Sequence, residues 1–113
     1  MRVRNYQEVQ AEPAEGMMEG VTVRWVISEK EGAPNFAMRV FELEPGAETP
    51  FHTHPWEHEM FVLAGKGVAR TEEEEIALGE GDTVFIPPNE RHQIINRGNS
   101  ILRFICLIPI IKD

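Results

Sequence analysis

Apolar residues in this chain recur at every second position, in short runs cut off by Gly, Pro, Asn and Asp. That period suits strands whose alternate side chains enter a core, and it excludes amphipathic helices as the main building block. In Val21 to Ser28, the side chains of Val21, Val23, Trp25 and Ile27 share a face. Phe36 to Leu43 repeats the pattern and is ended by Glu44-Pro45-Gly46; Glu57 to Leu63 is stopped at Gly65-Lys66-Gly67, whose composition predicts a hairpin turn. Val68 to Thr71 and Ile76 to Leu78 read as a hairpin tipped by the acidic run Glu72 to Glu75, a solvated turn. Thr83 to Ile86, His92 to Asn96 and Ile101 to Ile108 complete the series. Many short strands with closely spaced turns predict an all-β sandwich or barrel of jelly-roll kind. Residues 1 to 20, with Pro13, Gly16 and Gly20, are expected to form a loose arm or an edge strand, and residues 21 to 113 the domain proper.

A chain of 113 residues is one domain, with a core that only narrowly supports itself, so a homodimer sharing apolar surface is expected. With 19 acidic against 11 basic residues the net charge is -8, which disfavours nucleic acid and anionic membrane as partners. Cys106 is the sole cysteine, so neither an internal disulfide nor a cysteine-based zinc site is available. Met1 to Gln10 is polar and unlike a signal peptide, and no apolar stretch reaches membrane-spanning length; a cytoplasmic location is expected.

All four histidines fall in two turn-to-strand junctions, Gly46 to Glu59 and Pro87 to His92. In a strand, residues i and i+2 project together, so His52 and His54 would share a face with Cα atoms about 7 Å apart. His58 follows a Pro55-Trp56 turn that can return it to them, and His92 must arrive by folding. Three or four converging imidazoles make a site for a borderline divalent metal. The alternative is four unconnected structural histidines.

These two segments resemble the motifs of the cupin superfamily. The first motif, Gly, five residues, His-x-His, three or four residues, Glu, six residues, Gly, is found as Gly46, His52, His54, Glu59 and, one residue early, Gly65. The second, Gly, five residues, Pro-x-Gly, two residues, His, three residues, Asn, is found as Gly81, Pro87, His92 and Asn96, with Asn89 replacing the internal Gly. Asn is a mild replacement because it also tolerates positive φ. The resemblance implies a cupin-type double-stranded β-helix, a jelly-roll barrel, with a bound metal.

In many cupins the motif Glu, here Glu59, is the third ligand. Neighbours in a regular strand face opposite ways, so His58 and Glu59 cannot both point inward. The phrase His54-Pro-Trp-Glu-His58-Glu-Met-Phe-Val-Leu63 is similar to small one-domain cupins with four-histidine sites, often isolated with manganese. The resemblance therefore implies His52, His54, His58 and His92 as ligands, with Glu59 outside the coordination shell. Manganese rests on the resemblance alone; imidazole ligation also suits Fe, Co, Ni, Cu and Zn, and intrinsic affinity disfavours Mn. Four imidazoles would leave two adjacent octahedral positions free, which favours chemistry or ligand binding over a structural role.

Strand parity offers two further candidates. Arg39 shares a face with Ala37, Phe41 and Leu43, and either pairs with a surface or interface carboxylate or anchors a carboxylate or enolate substrate near the metal. Cys106 shares a face with Phe104 and Ile108, and is either a small core residue or a wall of the substrate pocket. Trp56 is a pocket lid or a dimer contact. The function expected is a metal-dependent, dioxygenase-like oxidoreductase acting on a small organic substrate. A metal-dependent binding module without turnover is the alternative, and an isomerase or epimerase ranks last because such chemistry needs a base beyond the ligands.

Overall fold

The computed structural model describes residues 1–14 and 19–111, and among these the regular structure is nine strands and two single-turn 3-10 helices (Tyr6–Glu8 and Glu29–Glu31). The strands are β1 (Glu12–Pro13), β2 (Val21–Ile27), β3 (Phe36–Leu43), β4 (His58–Ala64), β5 (Lys66–Arg70), β6 (Glu75–Gly79), β7 (Thr83–Ile86), β8 (Gln93–Ile95) and β9 (Leu102–Pro109). Two antiparallel sheets form, one in the order β1-β2-β3-β9-β4-β7 and one in the order β6-β5-β8. The all-β expectation holds. Among the described residues no helix is long and apolar enough to cross a membrane.

The alternation read from the sequence becomes a core between the sheets. Val21, Val23, Phe41, Leu43, Met60, Val62, Ile94, Leu102 and Phe104 are all buried. Phe41 and Phe104 are register partners on β3 and β9, and their rings stack with centroids 5.4 Å apart. Burying each such side chain contributes about 1.5–3 kcal/mol, so parity along these strands is strongly specified.

Two local expectations are corrected. Ile27 (44% exposed) does not continue the inward face of Val21 and Val23, because the β2–β3 register shifts between Trp25 and Ile27; Trp25 keeps that parity, opposite Arg39, at the exposed end of the face (41% exposed). A bulge of this kind re-aims the side chains beyond it. The turn at Gly65 is no hairpin, because β4 and β5 belong to different sheets. Gly65 has φ 92°, and a Cβ there would lie 2.8 Å from Leu102 Cα, so the chain crosses between sheets where only glycine fits. Gly67 is already within β5.

The acidic run behaves as a turn: Thr71 N donates to Glu74 O at 2.9 Å, and the Thr71 hydroxyl accepts from the amides of Glu73 and Glu74. In the N-terminal arm, Glu12 and Pro13 pair with Val23 and Thr22 as an edge strand, while Gly16 lies outside the described residues. The outer face of the larger sheet carries an apolar strip in which Phe61 (45% exposed) sits opposite Ile105, and Phe85 (60% exposed) opposite Glu59.

Candidate metal centre

The two histidine segments meet through a backbone ladder. The amide of His52 donates to His92 O at 3.1 Å and that of His92 to His52 O at 2.9 Å. The pairing continues through Thr49 N to Ile94 O (2.9 Å), Asn96 N to Ala47 O (3.0 Å) and Gly46 N to Asn96 O (3.0 Å). His52 and His54 are therefore not consecutive inward residues of one strand: His52 stands in an isolated bridge to His92, and His54 lies in the loop beyond. Asn89, at φ 70°, donates its amide to His54 O at 2.8 Å and ties the second motif to that loop. A positive φ at the position where the motif carries Gly is what Asn can adopt.

The rings nevertheless converge. Centroids of His52 and His92 are 4.9 Å apart, those of His52 and His54 5.2 Å, and those of His54 and His92 5.0 Å. One nitrogen from each of these three lies within 4.8 Å of the others. His58 closes the group from β4: its ring is 4.2 Å from His54 and 5.2 Å from His92, and its Nε2 meets the Nε2 of His54. His58 is buried and faces inward with Met60 and Val62, whereas Glu59 is exposed on the opposite face.

The outer nitrogens of the rings decide what the inner ones can do. His54 Nδ1 lies 3.0 Å from Trp56 O, and His92 Nδ1 lies 2.9 Å from Glu90 O. A carbonyl only accepts, so each Nδ1 carries the hydrogen and each neutral ring holds its lone pair on Nε2, toward the cluster. This is the arrangement by which metal-binding histidines are oriented. Trp56 adds its indole, stacked on the His54 ring at 4.6 Å and 8°. His58 differs: its Nδ1 lies 3.0 Å from Cys106 Sγ, which also accepts from Arg39 Nη2 at 3.2 Å. Burial pushes the His58 imidazole down to about 3, with the His54 and Arg39 charges adding to the effect. Burial likewise lowers His52 and His54. Unprotonated imidazoles with inward lone pairs and no donor to satisfy them fit a cation. A metal with bonds of about 2.1 Å to nitrogen needs ligand atoms about 3–4 Å apart, close to the spread observed.

Above the cluster lies a cavity of about 150 Å³, walled by Phe41, Met60, Ile94, Phe104 and Ile108 and by Trp56. Arg39 and Cys106 both line it, which sets Cys106 on the pocket wall as well as in the core. Burial raises the Cys106 thiol, against the opposing influence of Arg39. Sequence parity had placed Arg39, Phe104, Cys106 and Ile108; the carbonyls of Trp56 and Glu90, and Thr49 and Met60 in the lining, carried no signal of their own. Among the described residues no carboxylate lines the cavity, and Glu48, Glu57 and Glu59 lie outside it.

Comparison with known proteins accords with this geometry. The chain is similar to the polyketide cyclase RemF from Streptomyces resistomycificus, with a TM-score of 0.90 and 31% identity over 96% of this chain and 79% of that one. It is 32% identical over 71 residues to an oxalate-binding protein of Thermotoga maritima (62% of this chain, 59% of the relative). It is 34% identical over 95 residues to a glucose-6-phosphate isomerase of Thermococcus kodakarensis (72% of this chain, 49% of the relative). The chain spans about half the length of the curated relatives it matches. Since the cupin domain model matches residues 39–108, a stretch that holds all four histidines, β4 to β8 entire and most of β3 and β9, the chain belongs to the cupin family.

Proposed function

We propose that His52, His54, His58 and His92 hold one divalent metal, and that the chain is a metal-dependent oxidoreductase of dioxygenase-like type acting on a small organic substrate. The observation that carries this reading is the composition of the cavity: four imidazoles on one side, apolar walls on the other, and no carboxylate, lysine or tyrosine between them. Once the histidines are committed to a metal, the Cys106 thiol is the one group left in the described lining that could move a proton, and burial disfavours its thiolate. Reactivity would then come from the metal, which when bound polarises substrate and cosubstrate and serves electron transfer if it is Mn or Fe. The chain's own residues orient the imidazoles, exclude water with Phe104, Ile94 and Ile108, and seat the substrate. A dry cavity of this volume accommodates about one six-membered ring. Manganese is proposed as the resident ion, from the four-histidine set and its resemblance to other small cupins.

The lack of a carboxylate, lysine or tyrosine among the described residues of the lining counts against an isomerase, although one relative bears that name. The same absence leaves a binding module as the second reading, in which the metal orients a ligand that is released unchanged. The test is dioxygen consumption by manganese- and iron-loaded protein across a panel of small phenols, enols and diketones. Substrate-dependent uptake that is lost in His54→Ala supports the enzyme. No uptake, with a panel compound retained unaltered by the loaded protein, supports the binding module.

A further inference from the structure

Every arginine drawn into an ion pair in this chain meets its carboxylate within 4.0 Å: Arg4, Arg24, Arg91, Arg97 and Arg103 all do so. Among the described residues Arg2, Arg70 and Arg39 make no such pair; Arg2 is exposed and Arg70 donates to Gln93 Oε1, whereas Arg39 is half-buried and lines the cavity. Its only hydrogen bond is from Nη2 to Cys106 Sγ, and its Nε is buried without a partner among the described residues. Withdrawing a guanidinium from water without a counter-charge is costly, and a carboxylate partner within the chain would offset that cost. The sequence supplies 19 acidic residues, yet none of those among the described residues lines this cavity. The side chain is nonetheless held. Its guanidinium carbon lies 4.8 Å from the Phe41 ring centre and 5.2 Å from that of Trp25. Aromatic faces fix the plane of the fork without neutralising it. A single sulfur atom then separates it from the cluster: Arg39 Nη2 to Sγ is 3.2 Å and Sγ to His58 Nδ1 is 3.0 Å.

We infer that Arg39 is the substrate anchor of this cavity, and that it selects a small planar molecule bearing a resonance-delocalised oxyanion (a carboxylate, enolate or phenolate). The oxyanion pairs with the free edge of the guanidinium, and the rest of the molecule extends over the apolar wall toward the four histidines. Arg39 thus determines specificity by contact with the substrate, and Phe41 and Trp25 are positioning residues for it. The inference rests on the metal-site reading only for what lies at the far end of the substrate.

Benzoate and its neutral isostere benzamide probe it, since each carries one ring and the cavity has room for about one. Binding of both is measured by calorimetry to wild type, Arg39→Met and Arg39→Lys, each in zinc-loaded form so that no turnover intervenes, and each again metal-free. Wild type is expected to favour benzoate over benzamide, and Arg39→Met to lose at least about tenfold of that preference at unchanged zinc content, as befits the loss of a charge-assisted pair. Arg39→Lys, which keeps the charge without the fork, should retain part of it. A zinc-loaded, folded Arg39→Met with the wild-type preference overturns the anchor, because the metal alone would then be reading the charge. Should the protein take up no zinc, the metal-centre reading fails by itself, and the metal-free series still decides: a benzoate preference lost with Arg39 supports the anchor, and equal binding of the two ligands by wild type overturns it. If Arg39→Met does not fold, Arg39→Lys carries the test, and benzoate binding equal to wild type in that variant overturns the planar pairing.

Discussion

The choice between His58 and Glu59 as the ligand from β4 can be decided by removing each in turn. His58 is 7% exposed, with its Nε2 against His54, whereas Glu59 is exposed and pairs across the strands with Phe85 and Leu107. For Glu59 to enter the cluster, β4 would have to slip by one residue. That slip would expose Met60 and Val62, now 9% and 1% exposed, and bury Phe61. Losing two buried apolar side chains costs about 3–6 kcal/mol, of which burying Phe61 returns about 1.5–3 kcal/mol, so the native register disfavours the carboxylate by a net of about 1.5–3 kcal/mol. The apparent free energy of four-ligand metal sites is about 10–16 kcal/mol, or about 2.5–4 kcal/mol for each ligand. His58→Ala should therefore weaken metal binding by about 10²- to 10³-fold, and Glu59→Ala by less than about threefold.

The assay is chelator competition with cobalt or zinc, paired with urea denaturation with and without metal. Ligand present at a hundred times its Kd stabilises the folded state by about 2.7 kcal/mol. Wild type and Glu59→Ala should show that increment in full, and His58→Ala should lose most of it while remaining folded without metal. A Glu59→Ala protein that loses metal while His58→Ala keeps it would refute both the ligand assignment and the parity argument beneath it.

Other consequences are open to direct measurement. His52, His54 and His58 resist protonation in the folded, metal-free protein but titrate near 6.5 when unfolded, so the unfolded state binds more protons below that pH. Stability should thus be full above about pH 6.5 and decline as pH falls below it, with buried His58 contributing at most about 1.4 kcal/mol per unit down to about pH 3; a urea midpoint that is flat from pH 7 to 5 would contradict this. Asn96 is 1% exposed, donates from Nδ2 to Leu43 O (2.9 Å) and Ser100 O (2.8 Å), and accepts from Gly98 N. Asn96→Asp turns both donations into contacts between oxygens and should cost about 2–4 kcal/mol at pH 7 in urea denaturation, with a loss under 1 kcal/mol counting against that role. Sedimentation equilibrium should give twice the 12.9 kDa chain mass, with Phe85→Glu shifting the protein toward monomer; a monomeric wild type would remove the outer strip from consideration as an interface.

The fold class was legible because side-chain parity is a local property. Val21, Val23, Phe41, Leu43, Val62 and Phe104 declare their inward faces by alternation alone, and the structure buries them all. The bulge that turns Ile27 outward leaves no mark in composition, and Gly65-Lys66-Gly67 has the residues of a hairpin but spans two sheets. Both outcomes depend on what the neighbouring strands do, which lies outside the segment itself. The histidines were legible as a group, since none is spent elsewhere. The route to their convergence was not: an inward pair in one strand was expected, while a bridge from His52 to His92 and a loop at His54 bring the rings together. Nor could any pattern of side chains point to the carbonyls of Trp56 and Glu90, because every residue has one.

Parity specifies a face but not a level along the strand, and the cavity depends on level. Trp25 pairs with Arg39, Arg39 with Cys106, and Cys106 with Met60, so one row across β2, β3, β9 and β4 presents an aromatic ring, a cation, a thiol and a thioether side by side. That row exists because β9, the last strand in the chain, inserts between β3 and β4. A shift of one residue in β9 would turn Cys106 outward and separate Arg39 from His58, and a shift of two would keep every face correct while moving Cys106 off the level of Arg39. The second error is the informative one. It preserves the alternation that builds the core, so selection for folding alone tolerates it far better than selection for the site does. The stacked pair Phe41 and Phe104, one inward step along β3 and β9 from Arg39 and Cys106, is what opposes it: slipping by two would break that pairing and set Phe41 against a different residue. The aromatic pair in the core therefore holds the anchor and the fourth histidine at a common level, and it links the stability of the domain to the geometry of its cavity.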